Sequence, residues 1–285
     1  MALSLRNHFL NLTPDPAIPP PPLGRFDDGI EAIVTRSHPV SEKLPKLRRI
    51  PRALRYVPSQ YARHHTELRG SFESYLGKFS AKTRNTLRRK VKHLLGQGAG
   101  SGMREYREPG DMPEFHRLAR MVSALTYQER LLDAGLPDGE EFLGELQELA
   151  REDRARGYLL FLREEPIAYL YCPAQDGVLL YSHLGFDPKH ARFSPGTVLQ
   201  YLVFEALFKE RTFHAFDFTE GEGAHKKLFA THAIQCADIL YLSPGAGSLL
   251  WVCLHMCLDE TNALAGRALA ALGIKSLVKR LLRRT

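Results

Sequence analysis

A chain of 285 residues with 44% apolar and 25% charged residues has ordinary globular usage, which excludes wholesale disorder and a fibrous repeat and leaves room for one large domain or two small ones. The formal charge of +7 favours an anionic counterpart: cofactor phosphates, RNA or a membrane surface. Cys172, Cys236, Cys253 and Cys257 have neither zinc-site spacing nor the density of a disulfide scaffold, so no metal is expected and a reducing cytoplasm fits best. The first residues lack a signal-peptide pattern. The longest apolar stretch, Leu249 to Ile274, contains Asp259, Glu260 and Arg267, against a membrane span.

Residues 1–69 are rich in proline, including the run Pro19 to Pro22, and read as an extended arm or irregular layer. Ser80 then caps a helix with Leu87, Val91, Leu94 and Leu95 on one face and Lys82, Arg84, Arg88, Arg89, Lys90 and Lys92 along it. Asp111 with Glu114 opens a helix predicted to run to Gly135, and Asp138 with Glu141 opens another that stops at Gly157. Three short apolar runs follow, Tyr158 to Leu162, Ile167 to Cys172 and Val178 to Phe186, the last two joined by Asp176-Gly177; they predict an antiparallel meander. Ser194-Pro195-Gly196 starts an apolar helix reaching about Lys209. A strand over Thr212 to Phe218, a short helix over Ala224 to Phe229 and a strand over Cys236 to Leu242 complete an α+β order. Residues 244–285 read as a helical extension with a basic tail.

Three stretches carry a resemblance to a known family: Phe79 to Arg89 (FSAKTRNTLRR), Phe193 to Leu199 (FSPGTVL) and Phe216 to Lys226 (FDFTEGEGAHK). In their order and spacing, residues 70–243 resemble the GNAT acyltransferases, and within them the FemAB-like or BioF2-like (CelD-like) subgroup. That resemblance implies a mixed, mainly antiparallel sheet flanked by helices, and transfer of an acyl group, most simply acetyl from acetyl-CoA, to an amine by direct attack. Aminoacyl transfer from tRNA, as by FemX-like enzymes, and a non-catalytic envelope or polysaccharide-assembly scaffold are the alternatives. The stretch Ala191 to Gly196 departs from the usual GNAT pyrophosphate loop, matching it cleanly only at Gly196.

The candidate residues follow from chemistry and from that likeness. Free N–H groups at Ser194, Gly196 and Thr197, with Arg192 beside them, suit a phosphate. Asp217, between Phe216 and Phe218, is either a base for the attacking amine or the cap of the next turn. Lys226 matches the subgroup's glycine–lysine segment, where the resemblance implies stabilisation of an oxyanion. Tyr181 and His183, two apart on one strand, are expected on one face, the phenol as proton donor to a leaving thiolate and His183 beside the acyl arm. By the resemblance Tyr127, Glu129 and Arg130 line the acceptor side; Glu220, also a candidate for substrate binding, and Glu222 lie in the glycine-flanked turn and are alternative bases. The basic tail adds contact with the inner face of a membrane to the options for a cytoplasmic protein.

Overall fold

A computed structural model describes residues 2–7, 30–126, 129, 135–221 and 223–271. Tyr127, Arg130, Glu222 and the basic tail lie outside the described residues. The chain divides into two compact units: Met1–Arg63 with Glu220–Glu222 and Ala233–Thr285, and His64–Thr219 with Gly223–His232.

In the first unit β1 (Ala2–Asn7) runs parallel to β2 (Ile30–Pro39), and β11 (His232–Leu242) runs antiparallel to β2. β3 (Leu47–Ile50) and β4 (Ala53–Glu67) form a hairpin whose turn takes Arg52 to φ +63°. The expectation of an irregular layer is therefore corrected for residues 30–67, which are largely strand. The β-forming residues Ile33, Val34, Tyr56 and Val57 are all buried, and the prolines among them sit at strand ends or at a single tolerated position, Pro58. The last predicted strand also belongs mostly to this unit rather than to the 70–243 core. α7 (Ala246–Ala271) packs on it through Val252, and Tyr56 Oη is 2.8 Å from His255 Nδ1.

The second unit holds the expected meander. β5 (Gly102–Tyr106), β6 (Ala155–Leu162), β7 (Glu165–Gln175) and β8 (Val178–Leu180) pair antiparallel in sequence order; β8 then pairs parallel with β10 (Ala215–Asp217), which lies antiparallel to the end of β4. Asp176 and Gly177 both have positive φ, +50° and +74°, as a two-residue hairpin turn requires. Helices α1 (Phe72–Leu76), α2 (Ala81–Leu95) and α5 (Pro195–Glu210) share one core with Tyr158, Leu160 and Leu170, whereas α3 (Met112–Ser123) and α4 (Glu140–Arg151) share another with Leu159, Phe161 and Tyr171. Adjacent residues of β6 thus serve opposite faces, so a strand covered on both sides reads as one unbroken apolar run.

Ser80 caps α2 as expected, its Oγ accepting from Thr83 N at 3.2 Å. α3 ends at Ser123, well short of Gly135. On β6 the α-carbon of Gly157 lies against Phe115 of α3, and an added Cβ would fall 2.7 Å from that ring. Gly157→Ala is expected to destabilise the protein by about 1–3 kcal/mol, the cost of overpacking a close-packed core. Urea unfolding would measure it; an unchanged midpoint would mean that α3 can shift freely against the sheet.

Candidate active-site cleft

The strand that begins as β8 does not continue straight. Tyr181 N donates to Asp217 O at 2.8 Å, the last link to β10, and Ser182 N then donates to Tyr171 O at 3.2 Å. From there the chain runs as β9 (His183–Phe186) against β7. β9 and β10 separate at this point, and α5 and α6 (Ala224–Phe229) border a cleft of ≈ 530 Å³ lined by residues of both strands' surroundings, among them Tyr181, His183, Ser194, Gly196, Thr197, Gln200, His225 and Lys226.

Ser194 sits at the N-terminus of α5 in the left-handed region (φ +53°), and its carbonyl accepts from Thr197 N and Val198 N, both at 3.0 Å. The start of the helix is as expected, but the Ser194 hydroxyl makes no capping hydrogen bond: capping requires an extended backbone at that position. The expectation of free donors is corrected at two positions: Ser194 N donates to Ala191 O at 2.9 Å and Thr197 N to Ser194 O, and Pro195 carries no N–H, so of the three expected donors only the Gly196 N–H is left for a ligand. A Cβ on Gly196 would make ordinary contact with Leu184 and Phe186 at 3.8 Å, so this glycine does not relieve a clash. Arg192, in contrast, is exposed, stacks its guanidinium over Phe193 at 4.8 Å and does not line the cleft.

Lys226 is 8% exposed, with its Nζ 5.7 Å from the centre of the Tyr181 ring, and Tyr181 Oη lies 3.3 Å from His225 Nε2. Burial holds the Tyr181 phenol protonated well above its usual range. Burial, and then the charge of Lys226, lower the pKa of His225. Tyr181 packs against Phe216 and Phe218, while His183 stacks on Tyr171 (6.3 Å, 19°) and meets the edge of Phe142. Tyr181 and His183 therefore face opposite sides of the sheet, contrary to the alternation rule, because the change of partner between Tyr181 and Ser182 breaks the strand's period. Both still reach the cleft, and burial lowers the pKa of His183.

Asp217 is placed otherwise. It is fully buried, and its Oδ1 accepts from Thr219 N at 2.9 Å, while Thr219 Oγ1 donates to Tyr181 O at 3.1 Å. The turn-capping alternative is the one that its geometry displays, and the carboxylate is not among the groups lining the cleft. Alternation along β10 sends it away from the face where Phe216 and Phe218 meet Tyr181. Glu220 belongs to the first unit, where its Oε1 lies 3.4 Å from Ser37 Oγ. Glu129 is engaged by Arg120 through two nitrogens, at 2.8 and 2.7 Å, and by Ser123 Oγ at 2.5 Å; the Arg120 hydrogen bonds hold its carboxyl below the usual range. These contacts make Glu129 part of a structural ion pair.

Sequence reasoning missed Gln200, which is 1% exposed and lines the cleft one helical turn beyond Gly196, with no protein partner for its Nε2. Its signal was present: an amide within an otherwise apolar run from Val198 to Phe204. Two clusters among the described residues bring side chains of metal-ligating type within 4.8 Å of one another, His65 with Glu67 and His232, and Glu165 with Asp187 and His190. Neither lines the cleft.

A family model described as an acetyltransferase (GNAT) domain matches residues 81–227, just over half of the chain. Among solved structures, FemX matches with a TM-score of 0.52 at 12% identity, over 81% of this chain and 76% of its own. The C-terminal domain of a protein designated a lysylphosphatidylglycerol synthetase, from Agrobacterium fabrum, matches with a TM-score of 0.51 at 14% identity, over 84% and 74%. A conserved protein from Bacteroides thetaiotaomicron gives 0.50 at 10%, over 77% and 72%. At such identities the likeness establishes a shared fold. No curated protein sequence matches.

Proposed function

The chain belongs to the GNAT acetyltransferase-domain family, and from that premise we propose that it moves an acyl group, most simply acetyl from acetyl-CoA, onto an amine acceptor in the cleft between β9 and β10. The observation that carries this reading is the splitting of the strands at Tyr181 and Ser182 beside a helix N-terminus on one wall and a buried ammonium on another. The gap leaves backbone groups for an extended acyl arm. The Gly196 N–H, at the positive end of the α5 dipole, suits its phosphates. The narrower FemAB-like or BioF2-like placement continues to rest on the three quoted stretches.

The acceptor nitrogen attacks the acyl carbonyl carbon, and negative charge moves onto the carbonyl oxygen. Lys226 stabilises that charge. When the tetrahedral adduct collapses, the carbon–sulfur bond breaks and the thiolate leaves with a proton from Tyr181, whose raised pKa keeps it a donor. His183, kept neutral near pH 7 by burial, takes the proton lost by the attacking amine. Asp217 acts at one remove: by holding Thr219 it fixes the turn between β10 and α6 that carries Lys226.

A second reading, with aminoacyl-tRNA as the donor, gains from one feature. The basic helix α2 reaches the segment before α5, where His93 stacks on Phe193 (5.3 Å, 29°), so its exposed cations Lys82, Arg88, Arg89 and Lys92 belong to the same unit as the cleft. Thermal-shift titration with acetyl-CoA, longer acyl-CoAs and tRNA separates the two. A carrier at about 100 times its Kd adds about 2.7 kcal/mol to the folded state. Stabilisation by tRNA and by none of the acyl-CoAs would overturn the acyl-CoA reading.

Gly196→Val tests the placement of the carrier. Because a Cβ fits there, the variant should keep its carrier-free melting temperature, while the added methyls fill the mouth of the cleft and weaken carrier binding by about tenfold or more. Unchanged CoA affinity in the folded variant would move the phosphate site elsewhere.

A further inference from the structure

We infer that the outer face of α7, together with the basic segment that follows it in sequence, attaches this protein to anionic membrane surfaces. α7 uses one side to pack on its own unit: Val252 is fully buried, Met256 packs beside it and His255 meets Tyr56. On the other side Leu250, Leu254 and Leu258, at four-residue steps, are 62%, 57% and 63% exposed, and Leu264 is 58% exposed. Cys253 and Cys257 lie between those leucines at helical spacing and are also exposed. At 100° per residue these positions, with Leu249, span about half of the helix circumference. Residues 246–258 carry no charged side chain. Single exposed leucines are ordinary, but an apolar face that runs unbroken from Leu249 to Leu258, until the exposed Glu260 and Thr261 interrupt the same side, marks a docking surface.

The choice of occupant follows from charge. Residues 272–285 contain Lys275, Lys279, Arg280, Arg283 and Arg284 and no acidic residue. A second copy of the chain would cover the leucines but would offer those cations a partner whose own net charge is +7. An anionic lipid surface meets both demands: acyl chains take the leucines and headgroups take the cations, each contributing about 1 kcal/mol near the surface. None of the described helices is long and apolar enough to cross a membrane, so α7 would lie in the interface plane. The inference does not depend on the chemistry of the cleft.

The chain's one tryptophan, Trp251, is 39% exposed at the edge of this face and reports on it directly. The full chain would be titrated with vesicles of phosphatidylcholine alone and with vesicles containing about a third phosphatidylglycerol. The expected result is a blue shift of Trp251 emission and co-sedimentation with the anionic vesicles only, weakened by high salt. Substituting Leu250→Gln, Leu254→Gln and Leu258→Gln together should reduce that binding about tenfold or more without lowering the melting temperature, since these side chains are solvent-facing. Replacing the five cations by glutamine should abolish it. Absence of binding by the unsubstituted chain, or equal binding to neutral vesicles, would overturn the inference. So would a dimer in light scattering that the three glutamines convert to monomer while lipid has no effect, since the face would then join two copies.

Discussion

Arg156→Ala is expected to destabilise the protein by about 3–5 kcal/mol, the cost of breaking a buried ion pair from one side. Arg156 is fully buried on β6. Its Nη2 lies 2.5 Å from Glu210 Oε1, its Nη1 2.8 Å from Asp153 Oδ1 and 2.9 Å from Ala155 O, and its guanidinium sits 4.9 Å from the Phe213 ring. Burial works against the charge, but the hydrogen bonds to Glu210 and Asp153 outweigh it and raise the guanidinium pKa further. Alanine removes the compensation and leaves Glu210, only 15% exposed, and the nearby Glu105 facing one another. Burial, and then the charge of Glu210, already raise the pKa of Glu105 above the ordinary carboxylate value. A carboxyl with a raised folded-state pKa favours folding at low pH and loses that contribution as pH rises through it. The deficit of the variant should therefore be larger at pH 7 than near pH 5. Urea unfolding followed by circular dichroism measures both; a loss under about 1 kcal/mol at pH 7 would mean that water reaches the site and solvates the acids.

Arg156 also shows why parts of the fold were illegible. A charged residue ahead of Tyr158 reads as the boundary of an apolar strand, yet β6 begins at Ala155 and carries the arginine inside, because three acids from different segments converge on it. No local pattern records such a convergence. Likewise the prolines of the first 60 residues obscured the strands of residues 30–67, whose partners lie mostly far away in the chain: β2 pairs with β11, about 200 residues on. Several features that depend on neighbours within a few residues were legible: the Ser80 cap, the Asp176-Gly177 turn, the Ser-Pro helix start and the order of elements from α3 onward; the β3–β4 hairpin, equally local, was not, because its turn has a proline and, at positive φ, an arginine in place of a glycine.

The site divided along the same line. Lys226, Tyr181, His183, Gly196, Ser194 and Thr197 converge on one cleft, because the order of strands and helices brings them there. The faces were harder. The period-two rule assumes a continuous ladder, and the change of hydrogen-bond partner after Tyr181 turns Tyr181 and His183 to opposite sides. The rule did hold along β10, and there it carries Asp217 away from the Tyr181 side.

Lys226→Met is expected to lower kcat by about 10²–10³-fold while changing carrier affinity by less than about threefold, the signature of a group that acts on charge present only in the transition state. The ammonium is 8% exposed beside the Tyr181 ring, so water screens it little and its field on an oxygen in the cleft is strong. It reaches that position because Gly221, at φ +84°, turns the chain after β10 and a six-residue helix, α6, follows. Methionine keeps an unbranched stem of similar length against Tyr181, so packing is largely retained and the loss reports on charge. Lys226→Arg should recover part of the rate, since a guanidinium supplies the charge at a different reach. Pre-steady-state turnover with saturating carrier separates kcat from binding. If kcat stays near normal and only the carrier's Kd rises, Lys226 grips the carrier's anionic groups in the ground state, and stabilisation of the oxyanion falls to the backbone donors of the split strand.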